Sequence, residues 1–125
     1  MTHLDVADAF FEALLAGDGS ALDRLFSPYA TFFTNFSGVT QHRDHFLTSF
    51  AALAGTVRNL RFENVRRVGN KDGFVEQHTL CGTTASGEEL AVHGCFVFEV
   101  VEGEITHIDE YVDSAQLAPL LAGRS

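Results

Sequence analysis

The sequence predicts a single α+β domain spanning residues 1–125, in which three N-terminal helices cover a curved antiparallel sheet and leave one central pocket. A chain of 125 residues fits one ordinary domain with one core. Helical periodicity is concentrated in the first half, and the second half is a series of strand-like segments joined by short turns. Such strands form an antiparallel meander, and the helices must cover one of its faces.

The first two helices are marked by their ends. Thr2 and Asp5 resemble a capping box, and Gly17 ends the first helix. Its apolar positions recur at helical spacing: Val6, Phe10, Ala13 and Leu14. Ser20 is the predicted cap of a short second helix, and Pro28 stops it.

Aromatic and β-branched residues over 29–36 then predict the first strand. A third helix is predicted from about residue 42 to residue 54, with Gly55 as its end. Four further strands follow, separated by glycine-containing turns: 57–68, 74–81, 90–101 and 105–113. Ser114 is the predicted cap of a short closing helix.

Composition and charge narrow the functional classes. Apolar residues form 46% of the chain, and 12 Phe are enough to fill a core or line a hydrophobic cavity. The net charge of −9 repels phosphate backbones and anionic lipids, so we expect no nucleic-acid and no membrane partner. The basic cluster, which Glu63 interrupts, is interpreted as a solvated strand face: Arg58, Arg61, Arg66 and Arg67.

Apolar runs and cysteines in the sequence indicate the cellular compartment. Polar residues interrupt any apolar run near the first residue, and no stretch approaches the roughly 18 apolar residues of a membrane span. Cys81 and Cys95 lie within predicted strands and not in a cysteine-rich framework. We therefore expect a reduced, cytoplasmic protein with two buried thiols.

Alternation along the last two strands points to a candidate site. In the strand 90–101 the more apolar face is predicted to point inward: Val92, Gly94, Phe96, Phe98 and Val100. In the last strand Ile108 and Val112 share one face, and Glu110 lies between them. Desolvation would raise the pKa of this carboxyl toward the range useful for acid–base chemistry. The alternative is that Glu110 lies at a pocket rim or pairs with Arg43.

The strand 74–81 is ambiguous, because neither of its faces is cleanly apolar. A tight turn at residues 85–86 would place Gln77 and Thr79 inward and His78 beside His93 on the outer face. A slip of one residue would reverse this assignment.

Six histidines raise the question of a metal site. His42 and His45 are three residues apart on a predicted helix, and His78, His93 and Asp113 could align across the outer sheet face. No spacing matches a recognised zinc motif, so we expect no metal and no cofactor.

Several segments resemble one known superfamily: Gly87-Glu88-Glu89-Leu90, Cys95-Phe96-Val97-Phe98, Glu102-Gly103-Glu104-Ile105 and Glu110-Tyr111-Val112-Asp113. With Ala16-Gly17-Asp18 and Arg43-Asp44, they are similar to the SnoaL-like branch of the nuclear transport factor 2-like superfamily. The resemblance covers nearly the whole chain and implies a cone-shaped α+β fold. Members include polyketide cyclases, ketosteroid isomerases, limonene epoxide hydrolases and dehydratases, beside non-catalytic binding domains.

The resemblance also shows which catalytic sets this chain lacks. Phe10 stands near the place of the oxyanion-stabilising tyrosine of ketosteroid isomerases, and Thr34 or Asn35 near that of their aspartate base. In the epoxide hydrolase pattern, Glu110 takes the last-strand aspartate place and Asn35 the asparagine place. Three other positions of that pattern are changed: Gln77 and Thr79 replace the arginine and the first aspartate, and Phe33 replaces the tyrosine.

A single carboxylate in an apolar cavity resembles the SnoaL-like cyclases. The resemblance therefore implies proton transfer on a small hydrophobic carbonyl compound, by a cyclase, isomerase or dehydratase with Glu110 as acid/base and Asn35 as its polar partner. The expected substrate-binding residues are Phe10, Phe33, Gln77, Thr79, Val92, Gly94, Phe96, Phe98, Ile108 and Val112.

The alternative function is a non-catalytic domain of the same fold that binds a hydrophobic ligand or serves for dimerisation. Members of the superfamily often pair through the outer sheet face, and Val97 and Tyr111 would suit such an interface. We therefore expect a homodimer.

Overall fold

The computed structural model describes residues 1–121 and confirms the predicted α+β class, with four helices and one curved six-stranded sheet. The elements in chain order are α1 (His3–Ala16), α2 (Gly19–Leu25), β1 (Phe26–Thr34), β2 (Thr40–His42), α3 (Arg43–Thr56), β3 (Arg58–Asn70), β4 (Gly73–Thr83), β5 (Glu89–Val101), β6 (Glu104–Val112), a 3-10 turn (Ser114–Leu117) and α4 (Ala118–Leu121).

The helix ends confirm part of the capping prediction. The Thr2 hydroxyl accepts from the Asp5 amide, and the Asp5 carboxylate accepts from the Thr2 amide at 2.8 Å. Gly17 ends α1 in the left-handed region at φ 69°. The prediction for α2 is wrong by two residues, because Asp18 caps this helix by accepting from the Ala21 amide at 3.0 Å. Of the helices formed by residues 1–121, none is long and apolar enough to span a membrane.

The sheet has the strand order β2-β1-β6-β5-β4-β3. The antiparallel meander from β3 to β6 is confirmed. The sheet is not wholly antiparallel, however, because β1 pairs with β6 in parallel and β2 then pairs antiparallel with β1. Local alternation does not show this pairing, since β1 and β6 lie at opposite ends of the chain. The parallel register sets Thr34 directly beside Glu110.

Phenylalanine fills the core between α1 and the concave face of the sheet. The Phe10 ring is fully buried and meets the rings of Phe11 and Phe98, with 4.9 Å between centroids in each pair. Phe74 stacks on Phe98 at 4.2 Å. A smaller apolar cluster around Val92 lies farther along the sheet. Because side chains of both clusters border the space between them, the fold leaves a cavity there.

Candidate active site

A cavity of about 460 Å³ opens between the concave face of the sheet, α3 and the C-terminal turn. This volume suits a small molecule. Most of its wall is aromatic or aliphatic: Phe32, Phe36, Phe46, Phe50, Leu53, Phe62, Leu80, Val92, Phe96, Val112, Leu117, Leu120 and Leu121. An apolar wall of this kind favours an uncharged ligand with a large hydrophobic surface.

The polar lining residues fall into two groups. Four of them belong to the segment 37–49: Ser37, His45 and Ser49 are exposed, and Gln41 is partly buried. Inside, His78 is buried, and Thr34 and Glu110 are partly buried. Among the described residues that line the cavity, none is arginine or lysine. No permanent positive charge in this wall therefore faces Glu110.

Glu110 reaches the cavity because β6 alternates as predicted, with Ile108 in the core and Val112 in the cavity wall. Desolvation by burial raises the pKa of the Glu110 carboxyl above its usual range. A hydrogen bond from the Thr34 hydroxyl and the positive charge that His78 can carry oppose this rise in pKa. The alternative pairing with Arg43 is not formed, since that guanidinium binds Asp23 instead.

Asn35 holds the strands that carry Glu110 and does not line the cavity. Its side-chain amide donates to the Val112 carbonyl at 3.0 Å and accepts from the Val112 amide at 2.9 Å. Its backbone N–H donates to the carbonyl of Glu110 at 3.1 Å. Asn35 thus extends the parallel pairing by one residue and holds the end of β6 in place.

The register of β4 against β5 places His78 on the inner face. Residues 84–88 form the connecting loop, closed by a bond from the Thr84 amide to the Glu88 carbonyl at 2.8 Å. His78 therefore pairs with Gly94. A two-residue turn at 85–86 would have shifted the pairing by one residue and reversed the faces. His78 consequently lies on the opposite face from His93, which rules out the metal set of His78, His93 and Asp113.

His78 is the inner end of a chain of charged side chains. Its Nδ1 lies 2.7 Å from Oε2 of Glu76, which is completely buried. Nε of Arg67 donates to Oε1 of Glu76 at 2.7 Å, and Nη1 of Arg67 donates to Asp8 at 2.6 Å. Arg67 is thus no part of a solvated basic face, contrary to the prediction. Because a carboxylate only accepts, Glu76 fixes the proton on Nδ1 of His78 and leaves Nε2 free.

Aromatic rings hold the imidazole of His78 in place. Its centroid lies 4.5 Å from that of Phe62, 5.2 Å from that of Phe96 and 6.1 Å from that of Phe11. Packing and hydrogen bonding together leave this ring little rotational freedom, as a defined proton-transfer geometry requires.

Gly94 makes room between His78 and the wall of β6. A Cβ built at this position would lie 3.4 Å from Nε2 of His78 and 3.4 Å from a methyl carbon of Val112. Gly94 pairs with both His78 and Val112, and Glu110 precedes Val112 on the inner face of β6. A larger side chain on β5 here would occupy the space beside Nε2.

The structure brings only part of the predicted site together. The cavity lining includes Val92, Gly94, Phe96, Glu110 and Val112. Phe10 of α1 and two residues of the sheet, Phe98 and Ile108, lie in the closed core, so they present no free surface to a ligand.

Three predicted residues face away from the cavity. Gln77 and Thr79 border a shallow depression on the outer face, because the β4 register is one residue from the predicted one. Phe33 packs against Tyr111 on the same outer face at 5.9 Å between centroids.

Cys81 is buried and Cys95 is only partly buried, and both are free thiols.

Sequence reasoning missed Glu76 and left the face of His78 open. Their signal was present, since both alternate with Phe74 and Leu80 on one face of β4, and these flanking residues are apolar. The length of the loop after β4 decided between the two faces, and it could not be read from the residues alone.

A family model described as SnoaL-like domain matches residues 7–108. The chain belongs to this family. The match ends two residues before Glu110, so membership fixes the fold without describing the last part of the candidate site.

Solved structures agree with this fold. IdmH, a proposed polyketide cyclase from Streptomyces antibioticus, is 18% identical with a TM-score of 0.83, over 96% of this chain and 99% of that chain. A proposed polyketide cyclase from Pseudomonas putida KT2440 is 23% identical with a TM-score of 0.76, over 89% and 91%. A protein with a ketosteroid isomerase-like fold from Catenulispora acidiphila DSM 44928, solved with trimethylamine, is 18% identical with a TM-score of 0.73, over 89% and 86%. At these identities the likeness establishes the fold alone. The comparison with curated proteins gives no match.

Proposed function

We propose that this SnoaL-like protein is an enzyme that transfers a proton on a small, uncharged, hydrophobic carbonyl compound, with Glu110 as acid/base. One observation carries the proposal: the only carboxyl in the described cavity lining has its pKa raised by burial. A carboxyl with such a pKa keeps its proton closer to neutral pH and can both give and take it. Cyclisation, isomerisation and dehydration of carbonyl compounds all include such a step.

The cavity supports the substrate class. Its aromatic wall favours an apolar skeleton, and the absence of Arg and Lys from the described lining disfavours phosphate or carboxylate groups. The Thr34 hydroxyl beside Glu110 orients this carboxyl in the cavity wall. The related proteins described as polyketide cyclases agree with this class at the level of the fold.

Exchange of the α-hydrogens of 2-tetralone in D₂O, followed by ¹H NMR, tests the reaction. This bicyclic ketone is an uncharged apolar carbonyl compound with acidic α-hydrogens. We expect the protein to accelerate exchange and Glu110→Gln to reduce the acceleration by a factor of about 100, a typical contribution of one acid–base group. Asp109→Asn, a change of the neighbouring residue on the outer face, is the matched control. Equal rates in the wild type and Glu110→Gln would contradict the role of Glu110.

A second function is a non-catalytic domain that binds a hydrophobic ligand, and the predominantly apolar wall of the cavity favours it. The same experiment separates the two functions. A binding domain would show shifts of cavity resonances on addition of 2-tetralone, without faster exchange.

We further propose that the protein is a homodimer through the outer face of its sheet. Val97 and Tyr111 are exposed there and lie beside Phe33 and Cys95. Sedimentation velocity at micromolar concentration tests this arrangement. We expect a dimer that Val97→Glu dissociates, because the change places a charge in an apolar interface. A monomeric wild type would overturn the proposal.

A further inference from the structure

The inner face of β4 presents a second group able to transfer a proton. His78 borders the same cavity as Glu110, and Glu76 binds its Nδ1, so the unbonded ring nitrogen is Nε2. No bond from Nε2 of His78 to another of the described residues competes for this atom. A histidine with one nitrogen held by a carboxylate and the other directed into a cavity has the arrangement of a general base.

Glu76 is bound at both of its carboxylate oxygens, which favours a positioning role for this residue. Arg67 binds Oε1 of Glu76 while His78 binds Oε2, so the carboxylate cannot rotate without losing one of its partners. Glu76 is completely buried and does not touch the cavity. It therefore acts on a substrate only through His78, whose tautomer it fixes and whose positive charge it would stabilise.

Gly94 keeps the space between the two groups open. The inner-face neighbours across β5 are Gly94 for His78 and Phe96 for Glu110, so the two groups are diagonal to each other. A Cβ at Gly94 would touch Nε2 of His78, and any longer side chain would extend into the space that a substrate needs. The glycine has no positive φ, so free space accounts for it better than backbone conformation does.

We propose that His78 is the second proton-transfer residue of this site and that Arg67 and Glu76 position it. The inference rests on the proposed function. Nε2 of His78 takes the α-hydrogen of the carbonyl substrate as a proton, and the electrons of the broken C–H bond form the C=C bond of an enol. Glu110 gives its proton to the carbonyl oxygen. The site then holds an imidazolium beside Glu76 and a carboxylate at Glu110, and the reverse transfers return both protons.

Two histidine-to-asparagine variants test the role of His78. In His78→Asn the amide nitrogen replaces Nδ1 as the donor to Glu76, whereas the Nε2 position is lost. We expect its 2-tetralone exchange to fall by a factor of about 100. His107→Asn, which removes a histidine paired with a carboxylate on the outer face, should exchange within twofold of the wild type.

The outcomes separate this inference from the function on which it rests. Exchange that is lost in Glu110→Gln but unchanged in His78→Asn overturns the role of His78 and leaves the proposed function standing. A wild type that does not accelerate exchange, although 2-tetralone binds, overturns the proposed function and this inference with it.

¹⁵N NMR of the histidine side chains tests the positioning residues and does not require a variant of His78. In the wild type we expect a proton on Nδ1 of His78, a bare Nε2 and a shift of the Nε2 resonance on addition of 2-tetralone. In Glu76→Gln the amide can donate as well as accept, so the tautomer should become mixed and the exchange rate should fall. A fixed Nδ1–H tautomer in Glu76→Gln, or an Nε2 resonance that 2-tetralone does not move, would overturn the assignment.

Discussion

The two faces of the sheet carry the same local motif in different surroundings. On the inner face Nδ1 of His78 lies 2.7 Å from Glu76, and on the outer face Nε2 of His107 lies 2.8 Å from Asp109. In both pairs the residues are two apart on one strand. The side chains are 5% and 0% exposed in the inner pair, against 28% and 34% in the outer pair. The difference shows that burial, and not the motif, marks the candidate site.

The two pairs also differ in the third residue that each of them binds. Glu76 also binds Arg67, whereas His107 also binds the hydroxyl of Thr31 at 2.7 Å. The inner pair needs its arginine because a buried carboxylate without a cation would be strongly destabilising. The outer pair is in contact with water, which solvates both groups and weakens their attraction.

The largest difference between the pairs should appear on removal of a charge partner. Arg67→Met leaves Glu76 buried with only His78 as its partner and should lower the free energy of unfolding by about 3 kcal/mol or more. Asp109→Asn on the outer pair should lower it by no more than about 1 kcal/mol. Chemical denaturation of both variants measures the two values. Equal losses would show that the ion pair of Arg67 with Glu76 contributes no more to the free energy of unfolding than a surface pair does.

Adjacent positions of β5 should respond differently to added volume. Gly94→Val inserts methyl groups where even a Cβ would be 3.4 Å from His78, and we expect a loss of about 1–3 kcal/mol in stability together with weaker binding of 2-tetralone. Cys95→Val, a change of the next residue on the outer face, should leave ligand binding unaltered. NMR titration with 2-tetralone and thermal unfolding give the two quantities. Tight binding by Gly94→Val would contradict the placement of the ligand beside Nε2.

Glu110→Gln should stabilise the protein near neutral pH, because a carboxyl is costly to ionise in an apolar cavity. The pKa of Glu110 is raised by folding, so the folded state binds this proton more tightly than the unfolded chain does. Its contribution to stability is complete below the usual carboxyl pKa and is lost as pH rises through the raised value.

The variant should therefore be more stable than the wild type at pH 7, by about 1.4 kcal/mol for each unit of the rise in pKa, and gain nothing near pH 3. Asp109→Asn on the outer face is the control. Unfolding curves at both pH values measure the difference, and a destabilised Glu110→Gln at pH 7 would refute the desolvation argument.

The smallest expected effect is a change in the pKa of Glu110 when His78 is replaced. The positive charge that His78 can carry opposes the rise in the pKa of Glu110, so His78→Asn should raise that pKa further. His107→Asn, on the other face, should leave it unchanged. ¹³C NMR titration of the Glu110 carboxyl follows both variants. A lowered pKa in His78→Asn would indicate that the imidazole excludes water from Glu110 more than it supplies charge.

The sequence alone determined the fold class, because its signals are local. The capping box at Thr2, the turn glycines and the alternation around Glu110 each depend on residues a few positions apart. These patterns predicted the four-stranded meander and the inner position of Ile108. The same reasoning misplaced Gln77 and Thr79, since the face of a strand changes with one residue of loop length.

Only the tertiary structure decided which polar residues meet. The parallel pairing of β1 with β6 joins segments that are far apart in the chain. It places the Asn35 side chain on the backbone of Val112, outside the cavity in which the sequence predicted it as the polar partner of Glu110. The five-residue loop after β4 turns His78 into the cavity that Glu110 lines. The antiparallel register of β3 with β4 sets Arg67 directly opposite Glu76. Local sequence fixes what each segment can form, whereas long-range pairing and register fix which side chains share one desolvated space.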